Sequence, residues 1–188
     1  KIGRRGYLSP QFRMELHMDT KVLIPTAENI AYAAHLIEQG DVVGIPTETV
    51  YGLAASAFDE SAVEKIFLAK GRPQDNPLIV HIASLDMLPL VAADIPETAK
   101  QLAERFWPGP LTIIFNKSDR IPPAVTAGLS TVAVRFPSHK VAQALILKTG
   151  LPLAAPSANR SGAPSTTTAL HVYNDMRGRI PAILDGGS

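Results

Sequence analysis

The stretch TAENIAYAAHLIEQG DVVGIP TETVYG, residues 26–52, decides the architecture. Thr26 is placed to cap a helix whose Ile30, Ala33, Ala34 and Ile37 recur at the three- and four-residue spacing of one helical stripe, and Gly40 supplies the stop. Val42 to Pro46 follows at once as an apolar strand. The strand runs into Thr47-Glu48-Thr49-Val50-Tyr51-Gly52, a cluster of two hydroxyls, a carboxylate and a phenol. Open α/β sheets place ligands just past the carboxyl ends of their strands.

The same alternation of helical and strand periods continues to the end of the chain, which is the mark of an α/β layer architecture. Ser61-Ala62-Val63-Glu64 reads as a capping box for a second helix, with Val63, Ile66 and Phe67 inward and Gly71-Arg72-Pro73 ending it. Strands are expected at Leu78 to Ala83, Leu111 to Phe115, Thr131 to Phe136, Leu151 to Ala155 and Ile180 to Leu184. Helices are expected from Pro96 to Phe106 and from Ser138 to Lys148, the latter closed by Gly150, with a last short helix before the final strand. Two long loops, Asn116 to Ser130 and Pro156 to Thr168, are bounded by strands. Loops of that length inside a compact domain are usually functional or mobile. Residues 20–188 therefore read as one domain with a ligand cleft and residues 1–19 as a flexible N-terminal extension.

Composition narrows the class. At 188 residues, 46% hydrophobic and 19% charged, the chain can bury a sizeable core, roughly 70% of its unfolded surface at this length. There is no cysteine, which excludes disulfides, thiolate zinc sites and cysteine nucleophiles and fits a reducing, cytoplasmic setting. Pro, Gly or a charge interrupts every apolar run before the roughly 18 residues a membrane span needs. The net charge of +1 conceals an asymmetry: Lys1, Arg4, Arg5 and Arg13 against Glu15 make residues 1–17 basic, and the remainder holds 14 basic against 16 acidic residues. Bulk charge thus gives the body no nucleic-acid signature.

The chemistry is read from polar clusters. Lys70-Gly71-Arg72-Pro73-Gln74-Asp75-Asn76-Pro77-Leu78 puts two cations after a helix; they suit phosphate or carboxylate, and they equally suit the negative end of a helix dipole. Ala155-Pro156-Ser157-Ala158-Asn159-Arg160-Ser161-Gly162-Ala163-Pro164-Ser165 offers hydroxyls, an amide and a guanidinium after a strand, as a nucleotide loop or as a plain connection. Thr131 and Arg135 share one strand face, and an arginine within Thr-Val-Ala-Val-Arg-Phe needs an anion to be buried. His81, amid aliphatics, reads first as a structural histidine donating to a carbonyl or carboxylate. Tyr51 and Trp107 read as core or lid, and His17, His35, His139 and His171 belong to no motif. Phosphate-loop, dinucleotide, zinc-protease and nucleophile-elbow motifs are all absent. No protein-bound metal site is expected, whereas Mg2+ can arrive on nucleotide phosphates, since it keeps much of its own water.

Six motifs taken in order resemble the signatures of the YrdC (TsaC) type of L-threonylcarbamoyladenylate synthase: Pro46 to Leu53, Lys70-Gly71-Arg72-Pro73, Asn76-Pro77-Leu78, Trp107-Pro108-Gly109-Pro110-Leu111-Thr112, Val134-Arg135-Phe136-Pro137 and Pro156-Ser157-Ala158-Asn159. The resemblance covers about residues 26–187. It implies a mixed α/β fold, a twisted sheet with flanking helices around a large open cleft. It implies formation of threonylcarbamoyl-AMP and pyrophosphate from L-threonine, bicarbonate or CO2, and ATP. A downstream tRNA-modifying transferase complex would then carry the group to adenosine 37 of tRNA. By the same resemblance Thr49, His81, Arg135 and the main chain at Ala155 are similar to threonine-site residues. Lys70, Arg72, Asn76, Thr131, Ser157, Asn159 and Ser165 are similar to the ATP side, with Lys70 and Arg72 catalytic through charge neutralisation. No residue is required as a general base.

The family usually continues past Asp-Gly-Gly with a further substrate-contacting strand, so the domain is expected to be truncated at Ser188. Two other functions are weighed. One is an RNA-binding module for tRNA or double-stranded RNA without its own catalysis, motivated by the basic start; the other is the carbamoyl transfer of hydrogenase-maturation and antibiotic-tailoring enzymes, which are longer proteins.

Overall fold

The computed structural model describes residues 18–71, 73 and 76–188; the basic leader 1–17, and with it most of the expected extension, lies outside them, as do Arg72, Gln74 and Asp75. Among the described residues eight strands form one sheet in the order β1-β8-β2-β3-β7-β4-β6-β5. They are β1 Lys21–Leu23, β2 Val43–Ile45, β3 Gly52–Ser56, β4 Ile79–His81, β5 Thr112–Asn116, β6 Thr131–Arg135, β7 Leu153–Ala154 and β8 Ala182–Leu184. Pairings β1·β8, β2·β8 and β4·β6 are parallel, and the other four are antiparallel. The expected α/β class is borne out, as a mixed sheet.

Flanking helices are α1 Ala27–Glu38, α2 Glu60–Lys70, α3 Leu88–Val91, α4 Glu97–Phe106, α5 Pro123–Thr126, α6 Lys140–Thr149 and α7 Ala169–Met176. Thr26 caps α1 as its sequence requires, its side chain accepting from the Asn29 N–H at 3.2 Å. For α2 the cap is Asp59, accepting from Ala62 N at 3.1 Å, two residues before the expected Ser61. The carboxylate wins because it sits where the extended chain turns in, and it favours the positive end of the helix dipole. Gly71 ends α2 in the left-handed conformation at φ 62°, with open space around it. Helix α6 begins at Lys140 behind a His139 cap, later than the expected Ser138. Strand β7 is two residues rather than five: Pro152 has no N–H to donate, although Pro152 O, Ala155 N and Pro156 O still bond to the neighbouring chain segments.

Strand β3 was not foreseen. Residues 46–51, expected as a polar cluster past a strand end, are the loop of an antiparallel β2–β3 pair, with Ile45 opposite Gly52. The buried core gathers around this pair and its neighbours: Val43, Ile45, Leu53, Ala54, Val80, Val134 and Ile183 are fully buried.

Register decides which residues face the opening. Thr131, Ala133 and Arg135 alternate onto one face of β6, aligned with Ile79 and His81 on β4 and with Thr112, Ile114 and Asn116 on β5. The opposite face carries Val80, Val132, Val134 and Phe115, all buried. Ile114 stands 69% exposed in the first face, with Ile79 and Ala133 half-buried beside it. That face is left uncovered at its centre.

Candidate functional site

One end of the open face is closed by the β2–β3 loop. Thr47 Oγ1 donates to Val50 O at 2.6 Å and accepts from Thr49 N at 3.2 Å, which folds the loop back on itself. This brings Glu48 and Thr49 over the end of β6. Arg135 Nη1 and Nη2 each lie 3.2 Å from Thr49 Oγ1, and Nη2 lies 2.8 Å from Glu48 Oε1. Arg135 is buried, and its Nε has no acceptor. The Glu48 contact is an ion pair rather than an aligned hydrogen bond, and both carboxylate oxygens are buried. Burial pushes the Glu48 carboxyl up; the Arg135 guanidinium together with the backbone N–H groups of Glu48 and Ser138 outweighs it, and the net shift is downward.

His81 lies beside Arg135 in register. Its Nδ1 is 3.2 Å from Ile79 O, a contact that is a hydrogen bond only with the proton on Nδ1, so Nε2 is the acceptor nitrogen. Burial, followed by the repulsion of Arg135, pulls its pKa down to about 4. The ring is therefore neutral at pH 7.

The Asn159 side of the opening is built differently. The loop after β7 is stitched to the start of β3: Leu53 N donates to Pro156 O, Ala158 N to Tyr51 O, and Tyr51 N to Thr166 O, all at 2.8 to 2.9 Å. Lys70, in the last turn of α2 and 3% exposed, directs Nζ at Ser157 O and, at 2.7 Å, at Asn159 O. Asn159 donates through Nδ2 to Arg160 O and Ala163 O, while its Oδ1 is buried with no partner.

The structure thus unites two of the expected groups, Thr49 with Arg135 and His81, and Lys70 with Ser157 and Asn159. Ala155 N donates to Ile79 O at 2.9 Å, so that N–H is taken up within the sheet. Thr131 shares the face of Arg135 but lies at the other end of β6, about 13 Å of strand away. Asn76 and Ser165 are exposed, and Arg72 lies outside the described residues.

Two features escaped sequence reasoning. Glu48 had no visible partner, because Arg135 is 87 positions away. Tyr51, read as core or lid, is buried and clamps the end of the chain: its hydroxyl donates to Gly187 O at 2.6 Å and accepts from Gly186 N at 3.1 Å. Burial raises its pKa. A Cβ on Gly186 would lie 2.5 Å from Pro46 Cγ and 2.7 Å from His139 Cε1, so only glycine fits there. Trp107 is structural, with Nε1 donating to Leu111 O at 2.7 Å. A groove of about 720 Å³ beside Lys65, Leu68, Arg177 and Arg179 holds none of the expected site residues. Among the described residues no three His, Cys, Asp or Glu side chains converge as metal ligands, and no helix is long and apolar enough to cross a membrane.

Comparison with known proteins places this geometry. Residues 35–188 match the Sua5/YciO/YrdC family model, described as "Telomere recombination". The threonylcarbamoyl-AMP synthase of Pyrococcus abyssi is 57% identical over 158 residues, 84% of this chain and 46% of that protein. The Bacillus subtilis protein of the same name is 58% identical over 159 residues, again 84% of this chain and 46% of its own length. The crystal structure of P. abyssi Sua5 complexed with L-threonine superposes with a TM-score of 0.86 at 53% identity, covering 90% of this chain and 50% of that one. The chain spans about half the length of these relatives. With more than three quarters of its residues matched by the family model, the chain belongs to the Sua5/YciO/YrdC family.

Proposed function

We propose that this chain carries the synthesis of threonylcarbamoyl-AMP from L-threonine, bicarbonate or CO2, and ATP. The observation that carries the reading is the Arg135 corner: a buried guanidinium with an unpartnered Nε, a hydroxyl at 3.2 Å and a neutral histidine alongside, at one end of an open sheet face. Arg135 would take the amino-acid carboxylate through its planar fork, and His81 Nε2 and Thr49 Oγ1 supply polar partners for the rest of a small hydroxy amino acid. The relatives' name and the threonine in the Pyrococcus structure support threonine as that amino acid.

ATP would lie toward the Asn159 loop, where a buried amide oxygen lacks a donor, with Ser157, Ser165, Thr131 and Asn76 around the opening. The threonine amine bonds to the carbon of CO2 with loss of one proton. A carbamate oxygen then attacks the α-phosphorus, the bond to the bridging oxygen breaks, and pyrophosphate leaves. Both reactants are anionic, so the protein's contribution is positioning and charge neutralisation, which falls to Arg72 by family resemblance and to Mg2+ brought by the ATP phosphates. The product is a reactive mixed anhydride for a tRNA-modifying transferase complex in the cytoplasm. The RNA-binding module rests on the leader outside the described residues, and nothing described favours it.

Incubation with ATP, magnesium, bicarbonate and each of several amino acids, followed by mass spectrometry, tests the proposal. Threonine-dependent adenylate and pyrophosphate are expected. Salt-dependent tRNA binding without either product would replace the reading with the RNA-binding one.

A further inference from the structure

We infer that Lys70 is a positioning residue, which acts by holding the 156–163 loop in the shape that receives the nucleotide and not by touching its phosphates. The inference rests on the nucleotide reading above and reassigns the role that family resemblance suggests for this lysine. The geometry carries it. Lys70 is 3% exposed, and its Nζ donates to two carbonyls of the loop, Ser157 O and Asn159 O. Its own backbone carbonyl accepts from Ser161 N at 3.0 Å, so both ends of the residue grip the same turn.

An ammonium has three N–H donors and no acceptor, and two of the three serve these carbonyls. Hydrogen bonds from a charged donor are the strong ones, and breaking them underneath a phosphate would cost what the new contact supplies. Lys70 is held by ties that a loop of this length needs if it is to keep one conformation. With Ala158 fully buried between them, the carbonyls of Ser157 and Asn159 are turned inward toward α2. The orphaned Asn159 Oδ1 is held in place by the same arrangement, since Nδ2 is anchored on Arg160 O and Ala163 O.

The test compares wild type with Lys70→Met and Lys70→Arg in the whole chain. Binding of ATP, AMP, adenosine and L-threonine is measured by calorimetry, and amide exchange is followed for residues 157–163. A tether predicts that Lys70→Met weakens ATP, AMP and adenosine by a common factor of at least ten. It also predicts faster exchange at Ala158 and Ser161 and threonine affinity within twofold of wild type. Lys70→Arg, able to reach two carbonyls with its fork, should recover part of the adenosine affinity. Loss confined to ATP, with adenosine binding and loop exchange unchanged, would overturn the inference.

Should Lys70→Met fail to fold, acetic anhydride labelling of wild type decides: a tether labels slowly with or without ATP, whereas a phosphate contact labels readily and is protected by ATP. Wild type that binds no nucleotide at all refutes the proposed function, while exchange and labelling still judge the tether.

Discussion

Replacing Arg135 with alanine strands Glu48, and the consequence should be visible as a reversed pH dependence of stability. In the wild type the Glu48 carboxyl is held below its ordinary value, so its contribution is present above about pH 4.5 and is lost as the pH falls through the folded value. In Arg135→Ala burial, the largest influence on this carboxyl, is opposed only by the backbone N–H groups of Glu48 and Ser138, and the carboxyl pKa is expected to rise above its ordinary value. Stability should then be complete below about pH 4.5 and decline as the pH rises through the raised value. Removing one partner of a buried ion pair costs about 3–5 kcal/mol. Glu48 retains 20% side-chain exposure and Arg135 10%, so solvent softens the loss to about 2–3 kcal/mol at pH 7. For a domain of this size that corresponds to a Tm lowered by roughly 4–12 °C. Thermal melts from pH 5 to pH 8 on wild type, Arg135→Ala and Arg135→Ala/Glu48→Gln form the assay. The double variant should regain more than half of the lost Tm and lose the downward slope with pH, while both variants bind threonine at least tenfold more weakly. If the double variant is no more stable than the single one and both follow the wild-type slope, the ion pair does not hold this corner.

His81 should titrate near pH 4 by NMR, leaving threonine affinity insensitive to its protonation from pH 6 to 8. Because its folded pKa lies below the ordinary 6.5, its contribution to stability is present above that value and falls by at most about 1.4 kcal/mol per pH unit between 6.5 and 4, a slope that His81→Asn should remove. Tyr51→Phe should cost about 1–3 kcal/mol in chemical denaturation, through the bonds lost at Gly186 N and Gly187 O, and an unchanged midpoint would dissolve the clamp. Chelation of magnesium should abolish threonine-dependent pyrophosphate release while threonine binding stays within twofold; loss of both would put a metal in the amino-acid site.

Local chemistry alone determined much of the frame. Thr26 and Gly71 cap and stop their helices through their own side-chain and backbone properties, and the apolar stripe of α1 and the run Thr131–Arg135 carry their periods within a few residues. The polar clusters that line the opening were legible for the same reason, as runs of unusual residues between apolar ones. Tertiary structure decided what those residues do. Strand β3 is almost all small residues, Gly52 to Ser56, and it becomes a strand because β2 and β7 flank it. Glu48 and Arg135 meet through a loop folded over a distant strand end, and no pattern within either segment announces the pair. Lys70 was read as a solvated or phosphate-facing cation because a helix C-terminus welcomes either. Its burial against the carbonyls of residues 157 and 159 follows from where the loop after β7 is pinned to β3. Period and caps are short-range properties of the chain, whereas the partner of a buried charge is set by packing between segments far apart in sequence.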